Sequence, residues 1–97
     1  MNWKALLFIL FIIYSFYTVA QKVTISGYVE DKETGEFLIG ASVYDANNLS
    51  NGTSTNVYGF YSLTIPKGNI NLTVSFVGFN SLQIEIDLTK DTVLNLS

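Results

Sequence analysis

Few side chains in this sequence are equipped for chemistry, and their spacing limits what they can do. Asp31, Glu33 and Glu36 place three carboxylates in one short acidic stretch, the kind of group that can hold Ca²⁺. Their spacing does not match a known calcium loop, so a solvated loop face is the better reading. Asp45 with Asn47 and Asn48 reads as a turn rather than a site. Ser and Thr are plentiful, but the chain has no His to activate them. A Ser–Lys pair is then the one formal route to a nucleophile. The chain has no Cys either, which removes thiolate nucleophiles, thiolate zinc sites, disulfides and lipid attachment at cysteine. Tyr28, Tyr44, Tyr58 and Phe60 are aromatics able to stack on a sugar, although half-buried strand tyrosines are common. Asn48, Asn51, Asn71 and Asn95 each open an N-x-[ST] sequon, which matters only in a host that glycosylates it. The reading therefore expects no catalytic residue, no cofactor and no metal.

Charge narrows the partners. Five Lys stand against eight Asp or Glu, with no Arg, for a formal net charge of −3. Nucleic-acid binding needs a basic face that displaces counterions from phosphates, and this chain has the opposite sign.

The elements that must carry these residues begin after an apolar leader. Lys4 supplies a positive n-region, Ala5 to Ile13 is unbroken apolar sequence, and Thr18 and Ala20 are the small residues of a cleavage site before Gln21. From Ala5 to Ala20 a helix extends roughly 24 Å at about 1.5 Å per residue, short of a ~30 Å hydrocarbon core. No basic stop-transfer cluster follows. The expectation is a signal peptide over 1–20, cut between Ala20 and Gln21, with no stable transmembrane span afterwards. The 77 residues from Gln21 to Ser97 form one domain.

Period-2 alternation runs through that domain. Val23, Ile25 and Val29 share a face of the first strand, and Phe37-Leu38-Ile39 is expected to re-enter the core ahead of a strand over Ala41–Asp45. Asn51-Gly52 reads as a type I′ hairpin turn because both residues tolerate positive φ. Tyr61, Leu63 and Ile65 face inward on the next strand, and Pro66-Lys67-Gly68 turns the chain. Ile70, Leu72, Val74 and Phe76 form the clearest strand, Gly78 breaks it, and Leu82, Ile84, Ile86 and Leu88 form another. A last strand places Leu94 and Leu96 inward. About seven short strands with regular turn signals predict an all-β, Greek-key sandwich. Such a sandwich leaves edge strands open. The segment Gly52, Thr53, Ser54, Thr55 and Asn56 is short, polar and free of Pro and charge, which makes it the candidate docking edge.

The string Gly27-x-Val29-x-Asp31, then Thr34-Gly35-Glu36-x-Leu38-x-Gly40-Ala41-x-Val43, has a recognisable form. It continues through Gly52-Thr53-x-Thr55-Asn56-x-x-Gly59-x-Tyr61-x-Leu63-x-x-Pro66-x-Gly68 and Leu72-x-Val74-Ser75-x-x-Gly78-Phe79. Together these resemble the carboxypeptidase-regulatory-like domain, a transthyretin-like sandwich, over nearly all of the chain after the leader. The resemblance carries one departure, Asn56 where the family usually has Asp, and Asn retains the turn-capping acceptor. In Gram-negative bacteria such domains commonly follow the signal peptide of TonB-dependent outer-membrane receptors, as a periplasmic extension ahead of the plug. The resemblance thus implies a non-catalytic interaction module of the cell envelope, periplasmic or outer-membrane associated. Its expected partner is a receptor plug or an energy-transducing protein. It is either a stand-alone domain or the front of a longer receptor. The alternative is a free-standing envelope module that binds carbohydrate or protein.

Overall fold

A computed structural model describes residues 2–15 and 21–97. The apolar leader forms helix α1, Trp3–Ser15, a stretch free of the helix breakers Gly and Pro. Among the described residues no helix is long and apolar enough to cross a membrane. The expected cleavage bond has Gln21 on its far side, but Thr18 and Ala20 lie outside the described residues.

Seven strands follow: β1 (Lys22–Tyr28), β2 (Ser42–Asp45), β3 (Asn48–Ser54), β4 (Phe60–Pro66), β5 (Gly68–Ser75), β6 (Leu82–Leu88) and β7 (Thr92–Val93). They form two sheets, β4-β1-β7 and β3-β2-β5-β6, so the domain is an all-β sandwich. All pairs are antiparallel except β1 with β7. The chain changes sheet at β1→β2, β3→β4, β4→β5 and β6→β7. The Pro66-Lys67-Gly68 turn is therefore a crossing between layers rather than a hairpin. Lys67 holds it by donating its amide to the Gln21 carbonyl at 3.0 Å, and Gly68 takes φ 140° there.

The inward rows of both sheets meet in one core. Val23 and Ile25 oppose Ile65 and Leu63 within the smaller sheet, with Val29 and Tyr61 in the same buried cluster; Val43, Ile70, Leu72 and Val74 join them from the larger. Leu88 and Leu96 close the ends. Three expectations need correction. Phe37 and Ile39 do not enter the core: they are about half exposed, and only Leu38 packs inward. The backbone between Asp31 and Gly40 is a turn-rich loop, and no period-2 ladder fixes its faces. Phe76 packs against the core but is only partly buried, because it lies past the end of β5 against the exposed ring of Phe79. Asn51-Gly52 is not a turn. Both residues lie within β3, neither has positive φ, and the reversal occurs at Ala46-Asn47. The register slips there, with Tyr44 opposite Gly52 but Asp45 opposite Asn48. The carboxylate of Asp45 forms the turn instead, accepting the Asn47 amide at 3.0 Å and so replacing the positive-φ requirement with a side-chain cap.

Candidate functional site: the open sheet edges

β3 is an outer strand of the four-stranded sheet, paired with β2 on one side only. Gly52, Thr53 and Ser54 lie on it, opposite Tyr44, Val43 and Ser42. Their outer main-chain groups form a row that can accept another strand. Gly52 sits close to the Tyr44 side chain; a Cβ there would meet the Tyr44 Cβ at 3.1 Å. Thr55 and Asn56, from the same segment, are placed differently. Thr55 is 5% exposed and fully engaged. Its amide donates to the Ala41 carbonyl and its hydroxyl donates to the Leu38 carbonyl at 2.6 Å. The same hydroxyl oxygen accepts the Ala41 amide at 2.9 Å. Asn56 caps the next turn: its Oδ1 accepts the amides of Tyr58 at 2.9 Å and Phe60 at 3.1 Å. The Asn in place of Asp thus performs the capping role expected of it. Gly59 completes the turn at φ 75°, tight against the Phe37 side chain and the Val29 carbonyl.

The base of the β2–β3 hairpin is held by Asp45. This carboxylate is 5% exposed, and its Oδ1 also accepts the Asn71 amide of β5 at 3.1 Å. One oxygen therefore ties the hairpin to its neighbouring strand and satisfies two amides. Asn71 itself leaves its buried Oδ1 without a partner.

On the smaller sheet a second polar clamp sets the position of β7. Gly27 pairs with Tyr61, and the missing side chain leaves room for the chain at Leu94; a Cβ on Gly27 would collide with the Leu94 carbonyl. Tyr61, 1% exposed, donates its hydroxyl to that same carbonyl. Burial pushes its phenol up to about 12. Asn95 then accepts the Tyr28 amide at 2.9 Å, so this sequon residue has a structural task.

The remaining chemistry-bearing residues resolve into local structure. Asp31 caps its own loop, accepting the Glu33 amide at 3.0 Å and the Thr34 hydroxyl at 3.1 Å. No group of three acidic, His or Cys side chains that could hold a metal forms among the described residues. Tyr28 and Phe60 are brought together, with ring centroids 5.4 Å apart, and Phe37 joins them at 5.4 Å from Tyr28. The rings are tilted at 46° and 63°, so they interlock rather than forming a flat stacking platform. Tyr44 lies on the other sheet and Tyr58 in the Asn56 turn, apart from this cluster. Phe37 was not among the aromatics singled out from the sequence; its FLI context reads as core, and only the loop geometry turns the ring outward.

The sequence also understates β6. Its alternation reads as a buried strand, yet Leu82, Ile84 and Ile86 are only partly covered, because β6 is the other outer strand of its sheet.

The architecture is that of a small two-layer β-sandwich whose larger sheet ends in two open strands. The family pattern of the CarboxypepD_reg-like domain matches residues 25–97, and the chain belongs to that family. It is 28% identical over 83 residues to TonB-dependent receptor P3 of Formosa agariphila, covering 86% of this chain and 8% of the receptor. It is 33% identical over 75 residues to TonB-dependent receptor SusC of Bacteroides thetaiotaomicron, covering 77% of this chain and 7% of that receptor. The chain therefore spans less than a tenth of the length of either relative.

Proposed function

We propose that this chain is a non-catalytic docking module of the Gram-negative cell envelope, working with a TonB-dependent receptor. Residues 1–20 act as a signal peptide cut between Ala20 and Gln21, and residues 21–97 are released as the sandwich, periplasmic or held at the outer membrane. The module captures a partner segment along Gly52-Thr53-Ser54 of β3. The partner is a receptor plug or an energy-transducing protein. The observation that carries this reading is the family match over 25–97 and the separate similarity to two TonB-dependent receptors, joined to a β3 edge that carries no charge and no Pro. Thr55 and Asn56 serve the docking strand from behind by holding its end in place.

Two measurements test it. Mass spectrometry of the exported protein is expected to find Gln21 at the N-terminus; a chain that still begins at Met1 refutes the export step. A photo-crosslinking residue at exposed Ser50 of β3 is expected to form an adduct with a receptor or an energy-transducing protein in intact cells. Ser54→Lys, which places a charge on the edge, is expected to abolish that adduct with the melting temperature unchanged. An adduct that survives Ser54→Lys places the docking surface elsewhere.

A further inference from the structure

The two outer strands of the larger sheet differ in chemistry. β3 is polar and uncharged. β6 alternates strictly: Leu82, Ile84 and Ile86 pack on the core side, while Gln83, Glu85 and Asp87 are exposed. The core-side row is incompletely covered because β6 is the outermost strand of its sheet. β6 pairs with β5 from Val74↔Leu82 to Gly68↔Leu88, and among the described residues it has no neighbour on its other side. A seven-residue ladder edge therefore lies beside a partly covered apolar row and an acidic row.

We propose that β6 is a second docking edge, one that selects a protein segment in which apolar and cationic residues alternate. Added to β6, such a segment places its apolar side chains beside Leu82, Ile84 and Ile86 and extends the cover over the core. Its cationic side chains fall on the other face, beside Glu85 and Asp87, where opposite charges on neighbouring strands attract. The surface past the Leu82 end of the strand has the same character. A groove of about 630 Å³ opens there, floored by Phe76, Phe79 and Leu82 and rimmed by Glu30, Asp31 and Glu33, with Lys32 the one cation on that rim. It offers an apolar anchor site with a net negative border. A second copy of this chain is a poor occupant. Antiparallel pairing of two β6 strands brings the Glu85 and Asp87 rows of both copies together, and like charges on facing strands repel. This inference stands on β6 alone and does not depend on docking at β3.

The test uses the full chain in mild detergent and a labelled seven-residue peptide of alternating Val and Lys, followed by fluorescence anisotropy. Two controls are an alternating Val–Glu peptide and a block peptide of the same Val–Lys composition. The alternating Val–Lys peptide is expected to bind at least about tenfold tighter than either control. It should weaken several-fold as salt rises from about 0.02 M to about 0.5 M, because the facing charges are solvent-exposed. N-methylation along one edge of the peptide is expected to abolish binding, since strand addition uses main-chain donors. Glu85→Lys with Asp87→Lys is expected to reverse the preference toward the Val–Glu peptide without altering the melting temperature, both side chains being exposed. Equal binding of the two alternating peptides, salt-independent binding, or an unchanged preference in the charge-reversed chain overturns the proposal. Loss of the peptide on Ser54→Lys also overturns it, because the segment would then be using β3. A sedimentation shift showing that the unaltered chain pairs with itself through β6, abolished by the N-methylated peptide's unmethylated parent, overturns the choice of occupant.

Discussion

Replacing Thr55 by Val exchanges a hydroxyl for a methyl of almost the same shape, so the change isolates hydrogen bonding from packing. The hydroxyl donates to the Leu38 carbonyl and accepts the Ala41 amide, at 2.6 Å and 2.9 Å. Ala41 is 0% exposed, so its amide has no water to turn to, while half-buried Leu38 retains partial access to solvent. An orphaned buried amide costs about 1–3 kcal/mol, and the partly accessible carbonyl adds a fraction of that. A newly buried methyl returns about 0.8 kcal/mol. The net loss is about 1–3 kcal/mol. A domain of this size has a total stability of about 4–12 kcal/mol, and each kcal/mol moves its melting temperature by about 4–8 °C. Thermal unfolding of residues 21–97 by far-UV circular dichroism should therefore show a fall of about 4–24 °C for Thr55→Val. Thr55→Ser keeps both hydrogen bonds, gives up only the methyl, and should fall by less. A drop below about 3 °C for Thr55→Val, or a larger drop for Thr55→Ser, would show that the hydroxyl does not clamp the end of β3.

Gly27→Ala forces a Cβ into the Leu94 carbonyl, a backbone group that cannot swing aside; overpacking of this kind costs about 1–3 kcal/mol, and the melting temperature should fall by at least about 5 °C. Tyr61 holds its proton more tightly in the folded chain than a free phenol does, its value being pushed up to about 12. Its contribution to stability is intact below pH about 10 and is lost as the pH rises toward 12. Alkaline titration at 295 nm should show Tyr61 ionising last, with unfolding accompanying it; Tyr61→Phe should remove that step. Phe76→Ala is expected to cost about half of the ~3–5 kcal/mol of a fully buried Phe, since the ring is only partly covered. A loss equal to that of a buried Phe would mean that the groove beside it is closed in solution.

What the sequence determined by itself was set by short-range rules. Alternation at i and i+2 assigns each side chain to a face wherever a strand is continuous, which is why Ile25, Leu63, Leu72 and Val74 were legible as core before any fold was known. Gly35, Gly59 and Gly78 take the positive φ that their turns demand, and Asn56 caps the turn as its side-chain chemistry requires. The missing His and Cys limited the chemistry in the same local way.

Only the tertiary structure decided which strands lie outermost and how far each row is covered. Asn51-Gly52 has the local preferences of a hairpin turn, yet Asp45 bonds to Asn47 and to Asn71, 26 residues further along, and that clamp moves the reversal to Ala46-Asn47. Val74 and Ile84 obey the same alternation, but one is buried between neighbouring strands and the other lies on the outermost strand of its sheet. Periodicity records which way a side chain points; whether anything stands opposite depends on pairings between distant segments. The open edges exist only once those pairings have formed.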